Sequence, residues 1–365
     1  MTIPRTPADL TPTWLESVLD AGVDDVTVTA IGTGQTGATY RVSATYDNPT
    51  AADLPATFAV KLPAQDDAVR ERVALGYLSE VDFYSTITAD VAVPVPGCYH
   101  SEISSDGTDF VLVLADMAPA EQGDQIAGCT AAEAALAVEA IAGLHGPSWG
   151  DRRYFDLPSI VMPKPGDEAA ASGMGEVAVM AANMTLEKLG GSVDDEDRDT
   201  LLTSMSLVTP WLMAVPDRFS LMHGDYRLDN LLYDPERTRV TVVDWQTVGI
   251  GLPTRDLAYF TATSLLPDDR AAVERDLVQR YHAALLAHGV SGYDVETCWQ
   301  DYRLGVFQAP LITALGFAFA ASTERGDEMI LTMLHRGCRA IRELGAIDLV
   351  RSYQASTQPS SPTTA

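Results

Sequence analysis

Lysine is almost missing from this chain: Lys61, Lys164 and Lys188 stand against 21 arginines. A compact ammonium is not interchangeable with a guanidinium, so a lysine kept in such a chain draws notice. Lys61 sits in TFAVKLP, an apolar run where an unpaired charge is costly. Taken alone, it reads equally well as a strand-end lysine reaching to water. Cysteine is also sparse. Cys98, Cys129, Cys298 and Cys338 show no paired spacing, which excludes a disulfide frame or a zinc site and predicts buried thiols in a reducing compartment. No apolar run reaches the roughly 18 residues of a membrane helix, and MTIPRTPADLTPTW lacks the features of a secretory signal. The expectation is a cytoplasmic protein. Positive charge is short overall: the net charge of −27 excludes nucleic acid and anionic membrane as partners.

What is present is a globular composition, 46% hydrophobic, in a chain of 365 residues. Such a length suits two lobes and buries roughly three quarters of its unfolded surface. The residue pattern predicts a short helix over 7–21, then sheet. In ATYRVSATY, Tyr40, Val42, Ala44 and Tyr46 share one face with period two. TFAVKLP, VAVPVPGCYH and DFVLVLADM read as further strands, and 66–87 reads as a helix carrying Glu80. After Met117 helices dominate. Thr130 and Glu133 have capping-box spacing, with Gly146 closing that helix. Residues 158–175 read as a loop, 176–213 as helix broken near Gly190 and Gly191, and 268–288, 296–321 and 326–346 as helices. NLLYD and VTVVDW read as a hairpin. The polar tail is expected to be disordered. The predicted organisation is a small β-rich lobe over 1–116, a larger helical lobe over 117–350 and a tail over 351–365.

Gly32, Gly34 and Gly37 spell G-x-G-x-x-G. A dinucleotide fold needs a helix directly afterwards, whereas a strand pattern follows here. That context fits a glycine-rich flap over nucleotide phosphates, with a plain hairpin turn as the simpler alternative. Lys61, one strand further on, could reach those phosphates, held by Glu80, with Glu71 as competitor.

LMHGDYRLDNLLYD holds the sharpest pattern. Phosphoryl transfer needs a carboxylate to accept a proton from, or orient, the attacking hydroxyl, and oxygen ligands for Mg²⁺. Asp225 fits the first role; Asn230 and Asp244 fit the second. The hairpin between Asn230 and Asp244 is expected to bring them together, and His223 to brace the loop.

HGDYRLDN is similar to the H-G-D-x-x-x-x-N loop of the aminoglycoside phosphotransferase and choline kinase superfamily. VVDWQ is similar to its metal-binding segment, and GLPTRDLAYF resembles its G-x-P-x-x-D-L-A stretch. SEVDFY resembles the E-x-x-F-Y helix of the ecdysteroid-kinase-like and related bacterial branch. The resemblance covers most of residues 10–345. It implies an α+β, protein-kinase-like, two-lobed fold and the use of ATP and Mg²⁺. By it Asp225 is the catalytic base, Asn230 and Asp244 hold Mg²⁺, and Lys61 with Glu80 holds phosphates. Adenine meets the backbone near Leu114 and Asp116, and Asp256 braces the catalytic loop. Ala115 departs from the acidic residue that relatives often carry there.

Gly224 stands where protein kinases carry an arginine, and only eleven residues separate Asp244 from Asp256. That leaves no room for a long activation segment, so the expected acceptor is a small-molecule hydroxyl. A nucleotide-binding module without transfer activity is the alternative. Glu121 and Asp124 could meet a cationic substrate, and Trp299, Tyr302 and Phe307 could line an apolar pocket. Both sets also read as ordinary acidic loop and core.

Overall fold

A computed structural model describes residues 2–31, 37–46, 54–160, 162–319 and 323–357. Gly32 and Gly34 lie outside the described residues. The chain divides into two compact units. The first contains 1–90, 94–121 and 241–248; the second contains 91–93, 122–240 and 249–365.

The first unit is built on a five-stranded antiparallel sheet in the order β1-β2-β3-β5-β4. Its strands are β1 (Val23–Ile31), β2 (Gly37–Tyr46), β3 (Thr57–Pro63), β4 (Cys98–Ile103) and β5 (Phe110–Ala115). Period two decides the faces. Phe58, Val60 and Leu62 are fully buried on one side with Val42 and Ala44, against Trp14 and Leu15 of α1 (Pro12–Leu19). Each such side chain contributes roughly 1.5–3 kcal/mol by leaving water. The alternate residue of β3, Lys61, points to the other face. Helix α1 is shorter than expected because Thr11 caps it and Pro12 opens it, while Asp20 at φ 52° ends it. The run Val91–Gly97, expected as strand, is not one. Its two prolines, Pro94 and Pro96, cannot donate to a sheet ladder, and pairing begins only at Cys98.

Helix α2 (Asp67–Asp82) continues into one turn of π-helix over Phe83–Ile87. The chain then passes the two-residue strand β6 (Glu121–Gln122).

The second unit begins its helices with α3 (Ala131–His145). The Thr130–Glu133 capping box forms as expected, and Gly146 is the C-cap. Next come α4 (Glu168–Leu189), α5 (Asp195–Ser206) and α6 (Val208–Leu212). The expected loop over 158–175 therefore ends early: Asp167 caps α4 by accepting from Ala170 N, despite Gly173 and Gly175 within the helix. Short strands β7 (Ser220–Met222) and β10 (Gly249–Gly251) pair antiparallel. Strand β8 (Leu231–Tyr233) runs into a turn closed by Asp234 and Arg239, and β9 (Val240–Val242) leaves it. The Asp234 carboxylate accepts from the N–H groups of Thr238 and Arg239, which holds its pKa at about 2.

Helices α7 (Thr254–Ser264), α8 (Pro267–Ala287), α9 (Val295–Gly305), α10 (Gln308–Phe319), α11 (Glu324–Glu343) and α12 (Ala346–Thr357) complete the unit. The span 296–321, expected as one helix, is two, parted at Val306 and Phe307. Residues 351–357, expected within a disordered tail, are helical in α12; 358–365 lie outside the described residues. Among the described residues no helix is long and apolar enough to cross a membrane.

Cysteine burial is uneven. Cys298 and Cys338 are buried, but Cys98 belongs to an exposed residue, against expectation. Desolvation of its sulfur nevertheless pushes the Cys98 thiol up to about 11 from 9.0. Its thiolate at pH 8 is thus about 100-fold scarcer than that of an ordinary cysteine, and alkylation should slow by a similar factor. Timed iodoacetamide labelling read by mass checks this. Labelling of the folded chain at the rate of free cysteine would contradict it.

Candidate active site

In the first unit the site residues gather around Lys61. Its Nζ lies 2.6 Å from Glu80 Oε2 and 2.9 Å from Asp244 Oδ1. Glu71 is exposed and has no part in this contact. Burial opposes the ammonium, but the Asp244 and Glu80 carboxylates outweigh it and raise the Lys61 pKa. Glu80 is 1% exposed. Burial raises its pKa, with Lys61 opposing and the Asp244 charge reinforcing. The two carboxylates thus favour the ammonium of Lys61, while burial works against the charge on Glu80.

Glu80 also anchors the segment after Asp244. It accepts from Trp245 N at 3.4 Å and Gln246 Nε2 at 3.3 Å, while Ser79 Oγ donates to Trp245 O at 3.0 Å. Phe83 stacks on Trp245 with centroids 3.6 Å apart. Helix α2 comes this close because Gly76 has no side chain: a Cβ there would lie 3.2 Å from Gln246 Cβ. Asp244 itself stands at φ 67°, a left-handed conformation that aspartate tolerates better than most residues. Gly37 meets Lys61 directly; a Cβ there would lie 3.4 Å from Lys61 Cε and 3.3 Å from Leu62 O.

Asp116 is committed elsewhere. Its carboxylate takes Arg41 at 2.6 and 3.1 Å, so only its backbone remains for recognition. Leu114 is the penultimate residue of β5, opposite Ala59 and Cys98.

In the second unit the HGD loop follows β7. Asp256, fully buried at the start of α7, accepts from His223 N at 2.6 Å, Gly224 N at 3.0 Å and His145 Nε2 at 3.2 Å. Burial alone would raise its pKa; His145 and the loop donors outweigh that and lower it. Gly224 at φ 86° makes the turn that a Cβ would resist. His223 Nδ1 accepts from Asp225 N at 3.3 Å, which makes it a brace of the loop.

Three side chains orient the Asp225 carboxylate. Tyr259 Oη donates to Oδ1 at 2.9 Å; Asn230 Nδ2 and Arg227 Nε each reach Oδ2 at 3.1 Å. Asn230 Nδ2 also donates to Asp225 O at 2.8 Å. Both amide N–H groups of Asn230 are thereby used, and its oxygen is the end offered to another partner. A hard cation accepts such an amide oxygen; in the first unit the Asp244 carboxylate, 36% exposed at its side chain, is a donor of the same class. Oxygen donors of these kinds suit Mg²⁺.

Tyr259 and Arg227 escaped the sequence reading. Arg227 lies inside the quoted loop, and its pairing with both Asp225 and Asp229 could have been suspected from spacing. Tyr259 lies 34 residues from its partner and gives no such signal. Asp124 closes a turn by accepting from Ile126 N and Ala127 N, and Trp299, Tyr302 and Phe307 are buried core. Asp194, Asp197 and His335 cluster within 4.8 Å, but a helix cap and the ion pairs of Asp197 with Arg342 and His335 account for them.

Residues 27–295 match the phosphotransferase enzyme family. Acyl-CoA dehydrogenase family member 11 of Gallus gallus is 28% identical over 191 residues, 48% of this chain and 21% of that protein. The chain thus spans about a fifth of the length of such curated relatives. Among solved structures, a candidate aminoglycoside phosphotransferase from Ralstonia eutropha gives a TM-score of 0.52 at 17% identity, covering 95% of this chain and 98% of that one. An ethanolamine kinase from Plasmodium vivax gives 0.51 at 12% identity, covering 90% and 83%. At these identities the structural likenesses establish the fold, which is protein-kinase-like.

Proposed function

We propose, on the premise that this chain belongs to the phosphotransferase enzyme family, that it moves the γ-phosphoryl group of Mg²⁺-bound ATP to a hydroxyl of a small molecule. The observation that carries this reading is Lys61. In a chain nearly without lysine, this one is buried and held at 2.6 and 2.9 Å by Glu80 and Asp244. A lysine fixed so rigidly presents a point charge to phosphate oxygens.

The remaining roles follow from the donor chemistry. Asp225 accepts the proton of the attacking hydroxyl or orients it, in a position set by Tyr259 and Arg227. Asn230 and Asp244 supply oxygen ligands to Mg²⁺, which when bound neutralises charge on the moving phosphoryl group. The backbone near Leu114 and Asp116 receives adenine, and Gly32, Gly34 and Gly37 belong to the phosphate flap.

Tyr259 is a positioning residue on this reading. Tyr259→Phe should lower kcat about tenfold, the equivalent of ~1.4 kcal/mol, and leave KM for ATP unchanged. Steady-state kinetics check it; a rise in KM alone would remove Tyr259 from this role.

The acceptor is found by incubating the full chain with ATP, Mg²⁺ and a panel of hydroxyl compounds, and looking by mass for a phosphorylated product. Aminoglycosides, choline-like amino alcohols, sugars and sterols belong in it. Hydroxyl-bearing acyl-CoA thioesters join them because of the curated relatives' name. One phosphorylated acceptor supports the proposal. Nucleotide binding with no transfer to any of them would favour a binding module on the same scaffold.

A further inference from the structure

Arg255, one residue before the brace Asp256, is 6% exposed, yet among the described residues no carboxylate lies within ion-pair distance of it. Its neighbour Asp256 is taken by His223, Gly224 and His145. Arg255 Nε and Nη2 both donate to one neutral oxygen, Gln308 Oε1, at 3.0 and 2.8 Å. The guanidinium also lies over Trp211, 4.4 Å from the ring centroid. Two of five N–H donors are used, and Nη1 has no hydrogen-bond partner among the described residues. Nη1 rests against Gly251, where a Cβ would lie 3.0 Å away. Burial pulls the Arg255 pKa down to about 10, so it stays charged at neutral pH. Besides the nearby charge of Asp256, this buried cation is met only by a ring face and an amide oxygen, and burial outweighs what they supply.

A pocket adjoins Arg255. Arg255, Gly251, Trp211, Leu212, Val215 and Pro216 line a pocket whose walls are otherwise apolar. The pocket is small, with room for about one or two waters. The net charge of −27 disfavours anions at long range, so any anion held here is held by short-range contact.

We propose that this pocket is a small-anion site in which Arg255 Nη1 binds a halide or the carboxylate of a short organic acid. The site is independent of the phosphotransferase reading, since it needs neither nucleotide nor turnover.

The test is thermal unfolding of the full chain at constant ionic strength. Gluconate, too large to enter, is replaced stepwise by chloride, bromide, formate or acetate. The expected result is a saturable rise in Tm of roughly 2 °C at ten times the dissociation constant. A rise with chloride and bromide alone identifies the halide; a rise with formate and acetate identifies the carboxylate. Arg255→Met should lose the response. Val215→Glu, which places a carboxylate at the pocket wall, should lose it too without a lower starting Tm. No saturable rise in the unaltered chain overturns the proposal, as does an undiminished response in Arg255→Met. Should Arg255→Met fail to fold, a full anion response in Val215→Glu overturns it.

Discussion

Asp225→Asn is expected to lower kcat by about 10²–10⁴-fold, the range that one general base supplies. Asparagine keeps the size of the side chain and an oxygen for the Tyr259 hydroxyl, so the hydrogen bond now 2.9 Å long has an acceptor still. What is lost is the charge that takes the proton and pairs with Arg227, together with the Oδ2 acceptor of Asn230 Nδ2; Arg227 retains Asp229 at 2.7 Å, and Asn230 Nδ2 retains the backbone oxygen of residue 225 at 2.8 Å. Stability should therefore fall by less than about 2 kcal/mol. Kinetics with the identified acceptor and denaturant unfolding, run on the same preparation, separate the two effects. A variant with full turnover would remove Asp225 from the mechanism.

Lys61→Met should produce the largest change in stability. The side chains are similar in length, but Glu80 is left buried without its cation and Asp244 without its neighbour. Breaking a buried pair from one side costs about 3–5 kcal/mol. The loss should depend on pH in a definite direction. The Glu80 pKa is raised in the folded chain above the ordinary 4.5, and without Lys61 it rises further. A raised carboxyl binds its proton more tightly when folded, so that stabilisation is present below pH 4.5 and disappears as pH climbs through the folded pKa. The deficit of Lys61→Met relative to the parent should thus be small in acid and full at neutral pH. Urea midpoints across that range test it. A deficit independent of pH would mean the cost is one of packing and not of charge.

Much of this arrangement could be read before the structure because local rules and tertiary packing agree. Strand β3 alternates Phe58, Val60 and Leu62 with small or polar residues, and the core takes the alternation literally. Thr130 and Glu133 cap α3 by local hydrogen bonds. Where tertiary packing overrides, sequence signals fail. Every residue of α7 is buried, so no amphipathic stripe marks it as a helix. Glycines inside α4 mimic a loop, yet Gly175 is where the helix approaches Thr209 Oγ1, 2.3 Å from an ideal Cβ. Long-range partners are the hardest. Lys61 with Asp244 is 183 residues apart and Tyr259 with Asp225 is 34, and no spacing rule connects either. Arg255 stands beside Asp256 in GLPTRDLAYF, and nothing in that stretch signals its burial.

The claim at the centre of this account is that the chain binds ATP through Mg²⁺. Thermal unfolding of the full chain with ATP, with and without Mg²⁺, tests it most directly, since only binding to the folded state raises Tm. The account predicts a rise with ATP that grows when Mg²⁺ is added, and an Asp244→Asn variant in which the Mg²⁺-dependent part is lost. No rise with any nucleotide at millimolar concentration, with or without the metal, would contradict it.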